Sequence, residues 1–158
     1  MKTHSQDQRA GHRALRKGRW SEAGRYYVLT SVTHKRIPLF RDFDIARFVV
    51  NEIKRLHDDG DVLSLAWVLM PDHLHWLIGL SENVDLPHIM MCVKGRSAHQ
   101  INKHLKKKDK VWQKAFYDRA LRKEDDLRNI AGYIVANPLR AGLVQDIREY
   151  PFWDAIWM

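Results

Sequence analysis

"WVLMPDHLHWLI" (67–78) decides the fold: an apolar run enters a Pro71-Asp72 turn and returns as a second apolar run that carries His73 and His75. Extended outward, "VLSLAWVLM" (62–70) and "HLHWLIGL" (73–80) are near-continuous hydrophobic segments, the pattern of buried strands. The turn between them is short, so the two pair antiparallel. Side chains alternate across a strand, which puts His73 and His75 on one face and Leu74 and Trp76 on the other. Two imidazoles so placed converge on one ion, or make two separate hydrogen bonds beside a loop; the spacing leaves both readings open. As neutral nitrogen ligands they suit zinc, iron, nickel and copper more than magnesium.

The flanking sequence supplies the rest of an α+β order. "RYYVLTSVT" (25–33), rich in aromatic and β-branched residues, reads as the first strand, and "HKRIPLF" (34–40) as a loop. From a cap at Asp42 or Asp44, Ile45, Phe48, Val49, Ile53 and Leu56 recur at three- and four-residue spacing until "HDDGD" (57–61), an amphipathic helix closed by a glycine. Leu86, Ile89, Met90, Val93, Ile101 and Leu105 mark a second helix from about 85 to 105. Gly95 within it costs roughly 1 kcal/mol relative to alanine. "VWQKAFYDRALR" (111–122) reads as a fourth strand. "KEDDLRNIAGYIVANP" (123–138) starts acidic and carries Leu127, Ile130, Ala131 and Ile134 on one stripe, a helix that Pro138 is expected to stop. Strand, helix, strand, strand, helix, strand, helix is a ferredoxin-like or RRM-like pattern: an antiparallel sheet with helices packed on it.

A length of 158 residues fits one domain. Residues 1–24 read as a basic arm, 25–145 as the folded domain, and 146–158 as a tail packed on or extending it. Lys and Arg number 27 against 19 Asp and Glu, a formal charge of +8 that favours a polyanion: nucleic acid or an anionic membrane surface. The single cysteine, Cys92, excludes an internal disulfide and a cysteine-based zinc site. No secretory h-region or long apolar run is present, so the expectation is a cytoplasmic protein with no membrane partner.

Tyr133 stands apart from the other tyrosines. Asn137 follows four residues later, about 40° round the same helix. Pro138 disfavours helical backbone at Asn137, putting that amide at the helix end, where the dipole favours a cation. The alternative is a core tyrosine followed by an ordinary Asn-Pro stop. A nucleophile aimed at a phosphodiester needs an activated oxygen, a metal that polarises the phosphate and a basic surface that holds the strand, and this chain has a candidate for each.

"PDHLHWLI" (71–78), followed some sixty residues later by "YIVANPLRAGLV" (133–144), resembles the HUH (His-hydrophobe-His) single-strand DNA nucleases with one catalytic tyrosine. The chain is most similar to the REP-associated tyrosine transposases, relatives of small insertion-sequence transposases. "RYYVLTSVTHKRIPLF" (25–40) and "VWQKAFYDRALR" (111–122) also look like that family, so the resemblance spans roughly 25–145. It implies the HUH nuclease fold and a bacterial, nucleoid-associated protein. It further implies that Tyr133 attacks a DNA phosphate to leave a 5'-phosphotyrosyl link and a free 3'-hydroxyl. His73, His75 and Asn137 then hold a divalent metal ion, Mg2+ or Mn2+, with glutamine or asparagine in the third position among relatives. The implied substrate is hairpin DNA of the REP type with adjacent unpaired bases, and the implied process is DNA transposition. One departure is Asp72, where relatives often carry asparagine or another small residue; its effect on the metal site is open.

The basic segments fit that partner. Arg13, Arg16, Lys17 and Arg19 in the arm, and Lys103, Lys106, Lys107, Lys108, Lys110, Lys114, Arg119 and Arg122 further on, are candidate DNA contacts. Trp112, Phe116 and Tyr117 are interleaved with them and could stack on unpaired bases, Trp112 being the one assigned to DNA; the alternative is a solvated charged loop in which Trp112 and Phe116 enter the core. The rival reading is a non-catalytic RRM-like module that binds single-stranded nucleic acid. The hairpin sequence, the preferred metal, mobilisation of DNA in the cell and the choice between monomer and homodimer are not legible in the residues.

Overall fold

The computed structural model describes residues 25–122 and 125–158. β2 (Val62–Met70) and β3 (His73–Leu80) pair antiparallel with Met70 opposite His73, so Pro71 and Asp72 alone make the turn. β1 (Tyr26–Val32) lies on the other side of β3, β4 (Tyr117–Ala120) borders β1, and β5 (Trp153–Ala155) borders β2. The five strands run in the order β4-β1-β3-β2-β5, every pair antiparallel. Without β5 this is the ferredoxin-like order.

α1 (Phe43–Asp58) starts where the Asp42 carboxylate accepts the N–H groups of Asp44 and Ile45, and it buries Ile45, Ala46, Val49, Ile53 and Leu56. α2 (Leu86–Leu105) is capped by Asp85, carries Pro87 in its first turn, and ends where Lys106 adopts the left-handed conformation. Both helices cover the sheet face formed by Tyr27, Leu29, Leu74, Trp76 and Ile78. α3 (Leu127–Val135) packs on the opposite face, against Val28, Val68 and Leu77. A bulge between Ser64 and Ala66 lets Leu65 and Ala66 both join this second layer.

Two regions differ from the sequence reading, and the tail shows how it extends the domain. The expected strand over 111–122 shrinks to β4 plus an isolated bridge between Thr33 and Trp112. Here Lys94 on α2 intervenes: its ammonium group donates to the carbonyls of Gln113, Lys114 and Ala115 at 2.6, 3.2 and 3.3 Å, so these oxygens are turned to the helix and not to a ladder. α3 ends at Val135, but Pro138 does not keep Asn137 out of helical backbone. Ala136 keeps right-handed helical backbone and a short α4 (Asn137–Arg140) follows, with Pro138 in its first turn, where a missing N–H costs nothing. The tail supplies β5, and the Tyr150 hydroxyl donates to the Leu69 carbonyl, an interior bond whose burial pushes the phenol up to about 12.

Candidate active site

The cross-strand register builds the histidine pair. Val32, His73 and Met70 form one row across β1, β3 and β2; Thr30, His75 and Val68 form the next. Both histidines therefore face α3, while Leu74 and Trp76 enter the opposite core. Their rings stand 4.8 Å apart at 80°. Each ring has its Nδ1 engaged: His73 with the Asp72 carboxylate at 2.6 Å, His75 with the Thr30 hydroxyl at 2.9 Å. Burial lowers the His75 pKa to about 4, with the charges of His73 and Arg140 acting in the same direction, so this ring is neutral at physiological pH.

Asp72 is anchored in turn by Arg36, whose guanidinium lies 3.1 Å from its second oxygen. Partial burial works against the carboxylate, but the hydrogen bonds and charges of His73 and Arg36 outweigh it and hold the group below its ordinary pKa. Arg36 reaches this position through a turn in which both it and Lys35 have positive φ, 53° and 54°, a strained backbone for residues with a Cβ. Backbone bonds from Thr33 to Asp72 and from Phe40 to Pro71 fix the hairpin tip to this loop. The carboxylate left open by the sequence thus orients His73.

Between α3 and the sheet lies a groove of about 580 Å³, lined by Thr30, His75 and Arg119 from the strands and by Asn129, Tyr133 and Asn137 from the helices. Tyr133 is 67 % exposed. Its ring is covered by the Arg140 guanidinium, 3.7 Å from the centroid, and Arg140 also donates to the Tyr133 carbonyl at 2.7 Å. The tyrosine is therefore held from one side while staying open to solvent. Asn137 donates its amide nitrogen to the Ile134 carbonyl at 2.8 Å, which leaves the amide oxygen as the end able to act as a ligand.

This donor set suits a divalent cation. Two imidazoles with Nδ1 occupied offer Nε2, and carboxylate or hydroxyl support of the far nitrogen is what ligating histidines usually have. Asn137 offers an oxygen in the groove that His75 lines, and His73 adjoins it through the His75 ring. Among the described residues no three His, Cys, Asp or Glu side chains cluster as a site by themselves, so any third protein ligand to an ion held here would be of another type.

The sequence-assigned DNA contacts divide. Arg119 lines the groove. Lys103, Lys106, Lys107 and Lys108 surround a separate basic hollow at the end of α2, with His99 and Asn102. Lys110 and Lys114 border another beside His34 and Lys94. Arg122 is exposed beyond β4. Trp112 is not available to a base: it is 7 % exposed, packs 5.3 Å from Phe40, and donates to the Ser97 hydroxyl at 3.0 Å. Its basic neighbours gave it the look of a surface residue, yet the loop they occupy passes over α2 and drives the indole inward. Arg13, Arg16, Lys17 and Arg19 lie outside the described residues.

Three residues that contact the candidate site residues escaped the sequence reading. Thr30 meets His75 across strands 45 residues apart, a pairing only the register reveals. Arg36 meets Asp72 through a folded loop. Arg140 had a readable signal, since seven residues from Tyr133 is two helical turns.

Residues 22–137 match the family described as IS200-like transposases. The REP-associated tyrosine transposase of Escherichia coli K12 is 25 % identical over 132 residues, which is 83 % of this chain and 76 % of that protein. A candidate REP-associated tyrosine transposase of Haemophilus influenzae is 29 % identical over 99 residues, 56 % of each chain. Among solved structures, a REP-associated tyrosine transposase bound to a REP hairpin superposes with a TM-score of 0.70 at 23 % identity, over 84 % of this chain and 77 % of that one. A candidate transposase from Deinococcus radiodurans R1 gives 0.53 at 23 % identity, over 69 % and 87 %.

Proposed function

The chain belongs to the IS200-like transposase family, and on that premise we propose that it is a sequence-specific endonuclease and strand transferase for single-stranded DNA beside REP-type hairpins, with Tyr133 as nucleophile. The observation that carries this reading is the groove in which His75, Tyr133 and Asn137 meet, with an exposed tyrosine held in place by Arg140. A relative whose structure contains a REP hairpin supports the choice of substrate.

The step is a transesterification. The Tyr133 oxygen forms a bond to phosphorus as the bond from phosphorus to the 3'-oxygen breaks; the phenol proton is lost and the departing oxygen gains one. The products are a 5'-phosphotyrosyl link and a 3'-hydroxyl. One phosphodiester replaces another, so attack by a 3'-hydroxyl reverses the step and joins strands. Arg119 at the groove wall offers a positive charge to the backbone, and Arg140 keeps the phenol ring in one orientation. Asp72 and Thr30 hold the two imidazoles so that each Nε2 is available. His73 and His75 through those nitrogens, with Asn137 through its oxygen, would hold a divalent ion, Mg2+ or Mn2+. When bound, that ion supplies Lewis-acid polarisation of the scissile phosphate.

The test is a denaturing gel of the protein with labelled hairpin DNA carrying unpaired flanks, with Mg2+ or Mn2+ and with chelator. The expected result is a metal-dependent covalent adduct that disappears in Tyr133→Phe, while DNA binding persists. An undiminished adduct in that variant removes Tyr133 from the chemistry. Binding without any adduct across a panel of hairpins leaves a non-catalytic single-strand-binding module.

A further inference from the structure

β4 carries an aromatic side chain that neither the core nor the proposed chemistry uses. Tyr117 is 64 % exposed, whereas Tyr27 is buried and Tyr150 is bonded to a strand carbonyl. A lone exposed aromatic on an edge strand is unremarkable in a β-forming sequence. What distinguishes this one is its place in the sheet.

Tyr117 lies opposite Thr30, and Thr30 lies opposite His75, so the three form a single row on the α3 side of the sheet. Neighbouring strands are about 4.8 Å apart, which puts the Tyr117 backbone about 10 Å from that of His75. Arg119, two residues along the same strand and therefore on the same face, lines the groove that holds Tyr133. The sheet face beside the groove thus carries a cation and a solvent-facing aromatic ring. The strand is also steadied: Lys94 gathers the three carbonyls just before it, and the ladder to β1 holds its other residues.

We infer that Tyr117 is a stacking platform for an unpaired DNA base flanking the scissile phosphate, the ligand class being any nucleobase of a single strand. A phenol ring offers a flat face with only two side-chain torsions to restrict, and stacking tolerates every base because each has a π-face. The inference rests on the nuclease reading for the placement of the strand, but its test does not depend on cleavage.

Binding is measured in the Tyr133→Phe background, so that no DNA is consumed, with two probes: a hairpin bearing unpaired flanks that contain 2-aminopurine, and the same hairpin trimmed blunt. Tyr117→Ala is expected to bind the flanked probe about 5- to 150-fold more weakly and to lose the quenching of 2-aminopurine, while the blunt hairpin binds as before. Tyr117→Phe and Tyr117→Trp should restore both signals. Equal affinity of Tyr117→Ala and the parent for the flanked probe overturns the inference, as does an equal loss on both probes. Absence of an adduct with the unmodified protein breaks the nuclease reading alone, since a flank-specific loss in Tyr117→Ala still identifies the stacking site.

Discussion

The two faces of this sheet are built to different ends. On one, α1 and α2, of 16 and 20 residues, cover Leu74, Trp76 and Ile78 completely. On the other, the nine-residue α3 covers only part of the surface, and Thr30, His75 and Arg119 remain as the floor of a groove. Alternate residues of β3 belong to opposite sides, so one strand serves both the dry core and the polar site. A slip of one residue in its register would exchange histidines for tryptophan. The contrast separates stability from chemistry residue by residue, and it is open to experiment.

The sharpest test of the open face is Tyr133→Phe, which should eliminate the covalent adduct yet change stability by no more than about 0.5 kcal/mol, as expected of an exposed position; urea denaturation alongside the gel checks both halves. Its counterpart on the closed face is Trp76→Ala, expected to cost about 3–5 kcal/mol because the indole is wholly enclosed and its N–H donates to Ser64. A loss under 1 kcal/mol would show that this face is less tightly packed than drawn here. Asp72→Ala comes next: with His73 no longer oriented, affinity for Mn2+ measured by calorimetry should fall about 10- to 100-fold, and Asp72→Asn should keep most of it. Unchanged affinity in the alanine variant would end the positioning role. The smallest effect is a gain. A methyl group at Gly95 meets nothing within 4 Å, so Gly95→Ala should stabilise the protein by ~0.5–1 kcal/mol, read as a raised melting temperature.

Much of this arrangement is legible in the residues. The β2–β3 hairpin shows as two apolar runs about Pro-Asp, α1 and α2 show as stripes at helical spacing, and strand alternation already puts His73 and His75 on one face. Other parts depend on atoms far away in sequence. Trp112 sits among lysines, a setting that fits a surface aromatic or a core one, and the choice is made by Ser97, fifteen residues earlier, which receives its N–H. Residues 113–116 fall inside the segment read as a strand, yet the Lys94 ammonium holds three of their carbonyls away from any ladder. β5 is three residues long, too short for any periodicity to register, and exists because Ala66–Val68 offer an edge.

By itself, then, the sequence determined most of the local matters: the long helices and the hairpin strands, which side chains share a face, and that imidazole, phenol and amide are available in a basic chain. Those follow from backbone periodicity and capping, interactions that span a few residues. Only the tertiary structure decided that Thr30 supports His75, that Asp72 turns toward His73 under the hold of Arg36, that Arg140 lies on the Tyr133 ring, and that Tyr117 rather than Trp112 faces solvent. Apart from the Arg140 contact, which lies two helical turns from Tyr133, each of these depends on strand register or loop closure, which bring together groups that no local pattern relates.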